Sequence, residues 1–373
     1  MNKKIIAAAH IAIDITPTFE NGRGMERLNI LQPGKLIQIG EANIHLGGSV
    51  SNTGLALHKL GCDVLLMAKI GDDAFGQMIQ ERIKKTKCKA QITMDPNEST
   101  SYTIIVAPPQ VDRIFLHHAG SNETFRVEDV DFDKVAQYNH FHFGYPTLMK
   151  NLYQNDGAEL CRLFKKVKDL GLTTSLDMAS IDPDSEAGQC NWKRILERTL
   201  PYVDFFLPSI EELGYMLDSF LYTKWQKRAE NEDITKHLSL SKDIQPLAQQ
   251  TLALGCKALL IKCGVAGMYL QTREKEVMQK LGEEFVQWGD IEYFEKSFVP
   301  DRMCSATGAG DTSIAAFLKA ALEGCSPYRA MQFATGMGAS CVTAYDSLSG
   351  LLSFAEIEEK INNGWEKQNY MQS

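Results

Sequence analysis

Short apolar runs alternate with longer amphipathic stretches through most of the chain. The strand-like runs cover residues 5–13, 64–70, 141–144, 173–177, 205–207 and 258–262. The stretches between them, including residues 158–170 and 248–254, have apolar positions at helical spacing. This alternation predicts an α/β fold: a doubly wound, mostly parallel sheet with helices on both faces.

Polar residues and glycines follow several of these predicted strands. Ligands of doubly wound sheets bind beyond the carboxyl ends of the strands. One crevice at this edge would therefore collect the residues that lie at or just past the strand ends, which are Asp14, Gly144, Asp177, Ser209 and Gly264.

Two segments do not follow the βα pattern. Residues 16–46 have extended character with Gly and Pro turns, and residues 99–118 read as a hairpin with strands at 102–106 and 114–118. We therefore expect an α/β core from residues 1–15, 47–98 and 119–373, and a small separate β-sheet from the two remaining segments.

Composition excludes some classes of partner. The 373 residues carry a net charge of −8 with no long basic run, which disfavours nucleic acid and anionic membranes. No apolar run approaches the ~20 residues of a membrane span. The nine cysteines form no C-x-x-C pair, which favours free thiols in a reducing compartment. A cytoplasmic protein is the expectation.

The richest motif is Thr307-Gly308-Ala309-Gly310-Asp311-Thr312, directly before an amphipathic helix. The glycines leave the first helical turn uncovered, so its N–H groups can face an anion. A carboxylate, Asp311, follows at once, and we expect this helix start to be accessible at the surface. An anion cradle beside a base is what phosphoryl transfer to a hydroxyl requires, although an isolated match also fits a tight turn.

A second glycine motif lies upstream. Gly47-Gly48 precede a helix that Gly61 ends, and a strand then leads into Gly71-Asp72-Asp73-x-x-Gly76. With T-G-A-G-D-T near the end, the chain resembles the PfkB (ribokinase-like) family of carbohydrate and nucleoside kinases over nearly its whole length. The resemblance implies that the small sheet is a lid over the acceptor site. No G-x4-G-K-[S/T] motif competes.

The resemblance also implies roles for individual residues. Asp311 would be the general base, with an anion hole of Gly308, Ala309 and Gly310. The acceptor sugar would be bound by Asp14, Gly47, Gly48 and Asn52. The nucleotide side would include Ser209, Glu212, Gly264, Gly267 and Thr307, where 264–267 also fits a simple turn between strands.

Two departures concern the cations. Glu212 matches the last residue of the family's N-x-x-E motif, which positions Mg²⁺ through water, but Ser209 replaces the Asn. Many members also have an Asp that helps to hold a monovalent cation where this chain has Ser305. A hydroxyl ligates K⁺ more weakly than a carboxylate, so we expect this site to be weakened or missing.

These patterns predict an ATP-dependent sugar kinase that uses Mg²⁺. A nucleoside kinase of the same family stays open, and it would use lid aromatics such as Phe19, Tyr102 and Phe115 around a base. A non-catalytic sugar or nucleotide sensor is a further alternative, although a sensor has no need of Asp311. The exposed edges of a lid sheet also leave a homodimer open.

Overall fold

The computed structural model describes residues 3–19, 33–34, 36, 38–106, 114–230 and 232–371. The strands of this part of the chain are β1 (Lys4–Ala9), β2 (Ala12–Pro17), β3 (Ala42–Gly47), β4 (Asp63–Gly71), β5 (Lys89–Asp95), β6 (Tyr102–Val106), β7 (Ile114–His118), β8 (His140–Gly144), β9 (Thr173–Asp177), β10 (Phe205–Phe206), β11 (Ala258–Cys263), β12 (Gly267–Thr272) and β13 (Glu292–Lys296). The α-helices are α1 (Ser49–Lys59), α2 (Ala74–Thr86), α3 (Phe132–Val135), α4 (Lys150–Asp169), α5 (Trp192–Thr199), α6 (Ile210–Leu217), α7 (Ser219–Ala229), α8 (Gln245–Ala253), α9 (Lys275–Met278), α10 (Ala309–Leu322), α11 (Pro327–Cys341) and α12 (Phe354–Asn362).

The larger sheet has the order β13-β12-β11-β10-β9-β8-β1-β4-β5. Its strands are parallel from β11 to β5, whereas β12 and β13 are antiparallel additions at one edge. The predicted doubly wound, mostly parallel sheet is therefore confirmed. Strands β5 and β13 were not predicted, and β12 was indicated only by the possible turn at residues 264–267. β5 and β13 are partly exposed edge strands whose mixed polar sequences lack a continuous apolar run.

Helices cover both faces of this sheet. Along β1, Ile6 and Ala8 face one apolar cluster while Ile5 and Ala7 face the other, as the two-residue period of a strand requires. The first cluster contains Phe164 of α4 and residues of α5, α6 and α8. The second is built from α1, α2, α10 and α11. The sheet is thus buried on both faces. This leaves the carboxyl ends of its parallel strands as the place where a ligand can bind.

The predicted strand at residues 5–13 is two strands that belong to different sheets. β1 ends at Ala9, which has a left-handed φ of 115°, and β2 starts at Ala12. Between them, the Asn122 side chain accepts a hydrogen bond from the Ile11 N–H at 3.3 Å and donates one to the Ile11 carbonyl at 2.9 Å. Because the sequence is apolar on both sides of this crossing, hydrophobicity alone does not reveal it.

The smaller sheet has the order β3-β2-β6-β7. β2 pairs antiparallel with β3 and parallel with β6, so the two irregular segments form one sheet, and β6 and β7 match the predicted hairpin strands. The sheet begins at Ala12 and not at residue 16. Asp14 therefore lies in this small sheet and not at the end of a core strand. Residues 20–32, 35, 37 and 107–113 of the expected lid lie outside the described residues.

Candidate active site

A cavity of about 1340 Å³ lies between the small sheet and the carboxyl ends of the parallel strands. It brings together residues from both glycine motifs and from the turns between them. The predicted site residues that line it are Asp14, Gly48, Asn52, Ser209, Glu212, Gly264, Gly267, Thr307, Gly308, Ala309, Gly310 and Asp311. Gly47 is the exception, since it lies behind the Asp14 carboxyl group: a Cβ at Gly47 would overlap that group.

Asp311 is held in the first turn of α10. The Tyr145 hydroxyl lies 2.8 Å from both of its carboxylate oxygens, and the Asn52 amide donates to Oδ2 at 3.1 Å. The hydroxyl of Thr53 is 3.4 Å from Oδ1. The expectation of a surface-accessible helix start was wrong, because Asp311 is only 5% exposed. Helix α1 and the loop after β8 pack over it.

Burial raises the pKa of the Asp311 carboxyl group, while Lys262 and the hydrogen bonds from Tyr145 and Asn52 oppose this effect. A buried carboxylate with a raised pKa holds a proton more tightly than one in water. Asp311 thus combines a fixed orientation with a higher proton affinity than an exposed aspartate has.

The two glycines before Asp311 differ in how much space they leave for a side chain. Gly308 has a φ of +76°, and a Cβ there would overlap the side chain of Ser347. At Gly310, a Cβ would lie at ordinary contact distance from the Lys262 side chain, 3.5 Å from its Cδ and 3.8 Å from its Nζ. The first hydrogen bond of α10 runs from the Thr312 N–H to the Gly308 carbonyl at 2.9 Å. Of the N–H groups before this bond, that of Ala309 donates to the Ala306 carbonyl at 3.3 Å. N–H groups at a helix start that lack such a partner are those available to an anion.

Lys262, at the end of β11, was not predicted. Its ammonium group lies 2.6 Å from Oδ1 of Asp177, whose side chain is buried, and the Lys262 side chain is only 11% exposed. Burial raises the pKa of Asp177, which the Lys262 charge opposes, and Glu212 and Asp311 act on the same pair. Oδ2 of Asp177 is buried without a hydrogen-bond partner among the described residues. Three carboxyl groups therefore surround one ammonium group.

Ser209 and Glu212 form the N-terminal cap of α6. The Ser209 N–H donates to Oε2 of Glu212 at 2.7 Å, and the Glu212 N–H donates to the Ser209 hydroxyl at 3.1 Å. This reciprocal pair is a capping box. Burial raises the pKa of Glu212. Ser209 thus fills the helix-cap position with its hydroxyl already in use.

Gly264 and Gly267 occupy the turn that joins β11 and β12. Both have positive φ angles, of +50° and +138°, and a Cβ at Gly267 would overlap the Glu295 carbonyl of β13. The turn between strands is therefore observed, and it also borders the cavity.

The Ser305 hydroxyl, in the segment before α10, donates to the Thr307 hydroxyl at 3.0 Å and accepts from the Thr307 N–H at 3.1 Å.

Asp14 faces Asp311 from the small sheet. Burial raises the pKa of Asp14 to about 6, Thr103 lowers it through a hydrogen bond, and the charge of Asp311 adds to the increase. Two carboxyl groups, one from the small sheet and one from α10, thus share one end of the cavity. This pairing joins a residue near the chain start with one near its end.

Sequence reasoning missed Tyr145 and Lys262 as site residues. Both lie at the carboxyl ends of parallel strands, so the strand-end rule could have proposed them. Lys262 is also a lone lysine in an otherwise apolar run. Nothing local to either residue indicates its partner, because Tyr145–Asp311 and Lys262–Asp177 are contacts between distant segments.

Two findings on the described residues concern metals and membranes. No three His, Cys, Asp or Glu side chains in this part of the chain are placed to ligate one metal ion directly. No helix in the same residues has both the length and the apolar character needed to cross a membrane.

Comparison with known proteins identifies the family. The model of the pfkB family of carbohydrate kinases matches residues 25–352. The chain belongs to this family. It is therefore a sugar kinase, a phosphotransferase with an alcohol group as acceptor.

Curated relatives match along nearly the whole chain. It is 24% identical to a 5-dehydro-2-deoxygluconokinase of Clostridium perfringens over 98% of this chain and 94% of the relative. It is also 24% identical to a 2-dehydro-3-deoxygluconokinase of Thermoproteus tenax, over 91% and 92% respectively.

Solved structures agree on the fold. Arabidopsis thaliana ribokinase complexed with ribose and ATP has a TM-score of 0.70 at 18% identity, covering 96% of this chain and 98% of its own. A putative ribokinase II from E. coli in complex with ATP and Mg²⁺ has a TM-score of 0.69 at 19% identity, covering 97% and 99%. The ribokinase-like fold is confirmed, including the small separate sheet.

Proposed function

We propose that this sugar kinase transfers the γ-phosphoryl group of MgATP to a hydroxyl of its sugar, with Asp311 as general base. The observation that carries this proposal is the buried Asp311 carboxylate, which is fixed by Tyr145 and Asn52 directly beside the glycine-rich start of α10. A base and an anion site are thus adjacent in one cavity.

Each part of this arrangement has a chemical task. The Asp311 carboxylate accepts the proton of the attacking hydroxyl, and its raised proton affinity favours that transfer. Tyr145 and Asn52 hold the carboxylate in place. The N–H groups around Gly308, Ala309 and Gly310 stabilise negative charge on the transferred phosphoryl group, with the positive end of α10 behind them.

The carboxyl groups at the nucleotide side suit a magnesium ion. Asp177 is buried and Glu212 is partly buried, and Oδ2 of Asp177 has no partner among the described residues. We assign these two residues to hold Mg²⁺ through water molecules, since Mg²⁺ keeps several waters and prefers oxygen ligands. When bound, the ion supplies positive charge that offsets the phosphates. Gly264, Gly267, Ser209 and Thr307 border the nucleotide.

The acceptor is assigned to the end of the cavity that Asp14 lines. The Asp14 carboxylate can accept hydrogen bonds from neighbouring hydroxyls. Gly47 has no side chain and therefore leaves space for this carboxylate. The small sheet would act as a lid that excludes water. The names of the relatives make deoxygluconate-type keto sugar acids the first acceptors to test.

The deciding experiment is an ADP-release screen with ATP and Mg²⁺ over hexoses, pentoses, keto-deoxy sugar acids and nucleosides. We expect a sugar or sugar acid to give turnover, which Asp311→Asn lowers about 10²–10⁴-fold while ATP binding persists. Turnover with nucleosides alone would make the protein a nucleoside kinase. Sugar binding without ADP release would identify a sensor.

A further inference from the structure

The imidazole of His10 is a buried polar group for which the structure supplies no partner. His10 is 2% exposed, and neither ring nitrogen has a hydrogen bond among the described residues. Its ring borders the cavity and lies between those of His117 and Tyr145, with centroid distances of 5.2 and 5.9 Å. Buried polar side chains are nearly always hydrogen-bonded, so the unpartnered imidazole beside the cavity is a candidate ligand-binding group.

The backbone holds His10 firmly in this position. Its carbonyl accepts from the Val50 N–H at 3.1 Å, and the following residue, Ile11, is fixed on both sides by Asn122. The preceding Ala9 has the unfavourable φ of 115°. Strained non-glycine backbone that surrounding contacts enforce is typical of functional positions. The imidazole is therefore pre-positioned at the junction of the two sheets.

The neighbouring glycines define what His10 faces. A Cβ at Gly48 would lie 2.6 Å from Nδ1 of His10, and a Cβ at the adjacent Gly47 would overlap the Asp14 carboxyl group. Two successive residues without side chains thus leave room for an imidazole and a carboxylate on the same wall. His10 and Asp14 both line the cavity.

The charge state of His10 selects the chemistry of its ligand. Burial and the neighbouring His117 hold its pKa well below the usual range, so the ring is neutral. A neutral imidazole offers one N–H donor and one acceptor nitrogen. Hydroxyl groups, which both donate and accept, complement this pair fully, whereas a carboxylate can use only the donor.

We propose that His10 is a specificity residue that binds a hydroxyl of the acceptor sugar next to the hydroxyl held by Asp14. The proposal deepens the proposed function and rests on its placement of the acceptor. It implies an acceptor with vicinal hydroxyls at this end, and it predicts that an acceptor lacking the second hydroxyl binds more weakly.

The test compares His10→Phe, which keeps a ring between His117 and Tyr145, with His10→Gln, which keeps a donor and an acceptor. We expect Phe to raise the acceptor Kd and KM about 10- to 100-fold, because a buried hydroxyl loses its partner. The KM for ATP and the kcat should stay near wild type, and Gln should recover part of the loss. His58→Phe is the control, since His58 bonds the Thr86 carbonyl outside the cavity.

Deoxy analogues of the acceptor then complete a double-mutant cycle. The analogue that lacks the contacted hydroxyl should bind wild type as weakly as the parent sugar binds His10→Phe. When this analogue is tested on His10→Phe, its affinity should fall no further. Unchanged acceptor Kd in a folded His10→Phe would overturn the assignment of His10 alone. Calorimetry that detects no sugar binding to wild type would overturn the acceptor site and the proposed function together.

Discussion

Replacing Asp14 by asparagine is expected to stabilise the folded protein while weakening its binding of the acceptor. Burial and the charge of Asp311 raise the pKa of Asp14 from its ordinary value of 3.8 to about 6. The ionised carboxylate is therefore less favourable in the folded protein than in the unfolded chain. Asparagine keeps the shape and the acceptor for Thr103 but carries no charge.

The magnitude follows from the linkage between pKa and folding. Each pKa unit is worth about 1.4 kcal/mol, so ionised Asp14 lowers the free energy of unfolding by roughly 3 kcal/mol at pH 7. The sign is that of a raised carboxyl pKa: the stability is fully present below about pH 4 and is lost as the pH rises through 6. Asp14→Asn should therefore gain up to ~3 kcal/mol at pH 7 and about half of that at pH 5.

Urea denaturation of wild type and Asp14→Asn between pH 5 and pH 8 measures this gain. The control is Asp301→Asn, whose exposed ion pair with Lys360 should change stability by less than ~1 kcal/mol. Acceptor kcat/KM should fall in Asp14→Asn at every pH, and in wild type it should fall below about pH 6. A variant that is less stable than wild type at neutral pH, with no pH dependence, would refute the reasoning.

Three further predictions concern the start of α10. Asp311→Asn should lower kcat about 10²–10⁴-fold in steady-state kinetics, while calorimetry should show an unchanged affinity for ATP. Denaturation should show a gain in stability, because the variant removes a buried charge whose pKa is raised. Gly310→Val should fold normally, but its kcat should fall about 10²–10³-fold. Gly308→Ala should lower the free energy of unfolding, measured by denaturation, by about 2 kcal/mol or more, since its Cβ would overlap Ser347 and its φ is positive. Exchange of K⁺ for a bulky organic cation at fixed ionic strength should leave kcat unchanged because Ser305 carries no charge; a several-fold loss would mean that backbone carbonyls build a cation site.

The sequence predicted well those features that depend on local patterns. The hairpin strands at 102–106 and 114–118 are β6 and β7, and the glycine-rich motif does open α10. Periodicity and turn residues are properties of neighbouring positions, so they are visible without a fold. The split of residues 5–13 into two strands was not visible, since it depends on Asn122, more than a hundred positions away.

Burial was the second property that local patterns did not reveal. Asp311 looked accessible because an acidic residue in a first helical turn usually is. It is buried because Tyr145 and Asn52, from two other parts of the chain, close over it. Residues 224–243 are polar and rich in charge, a composition that favours a solvated segment. Trp225 is nevertheless buried and donates to Asp243 at 2.9 Å.

The charged groups that line the cavity, together with Asp177 beside Lys262, share one physical consequence. Asp14, Asp177, Glu212 and Asp311 each have a raised pKa from burial, and Lys262 is the cation that opposes this effect at the last three. Such a cluster destabilises the folded state unless a ligand brings positive charge or hydrogen bonds. In the proposed function, the Mg²⁺ ion of MgATP would supply the positive charge and the sugar hydroxyls the hydrogen bonds. Ligand binding and stability are therefore coupled at this site, and MgATP with sugar should raise Tm by more than either alone.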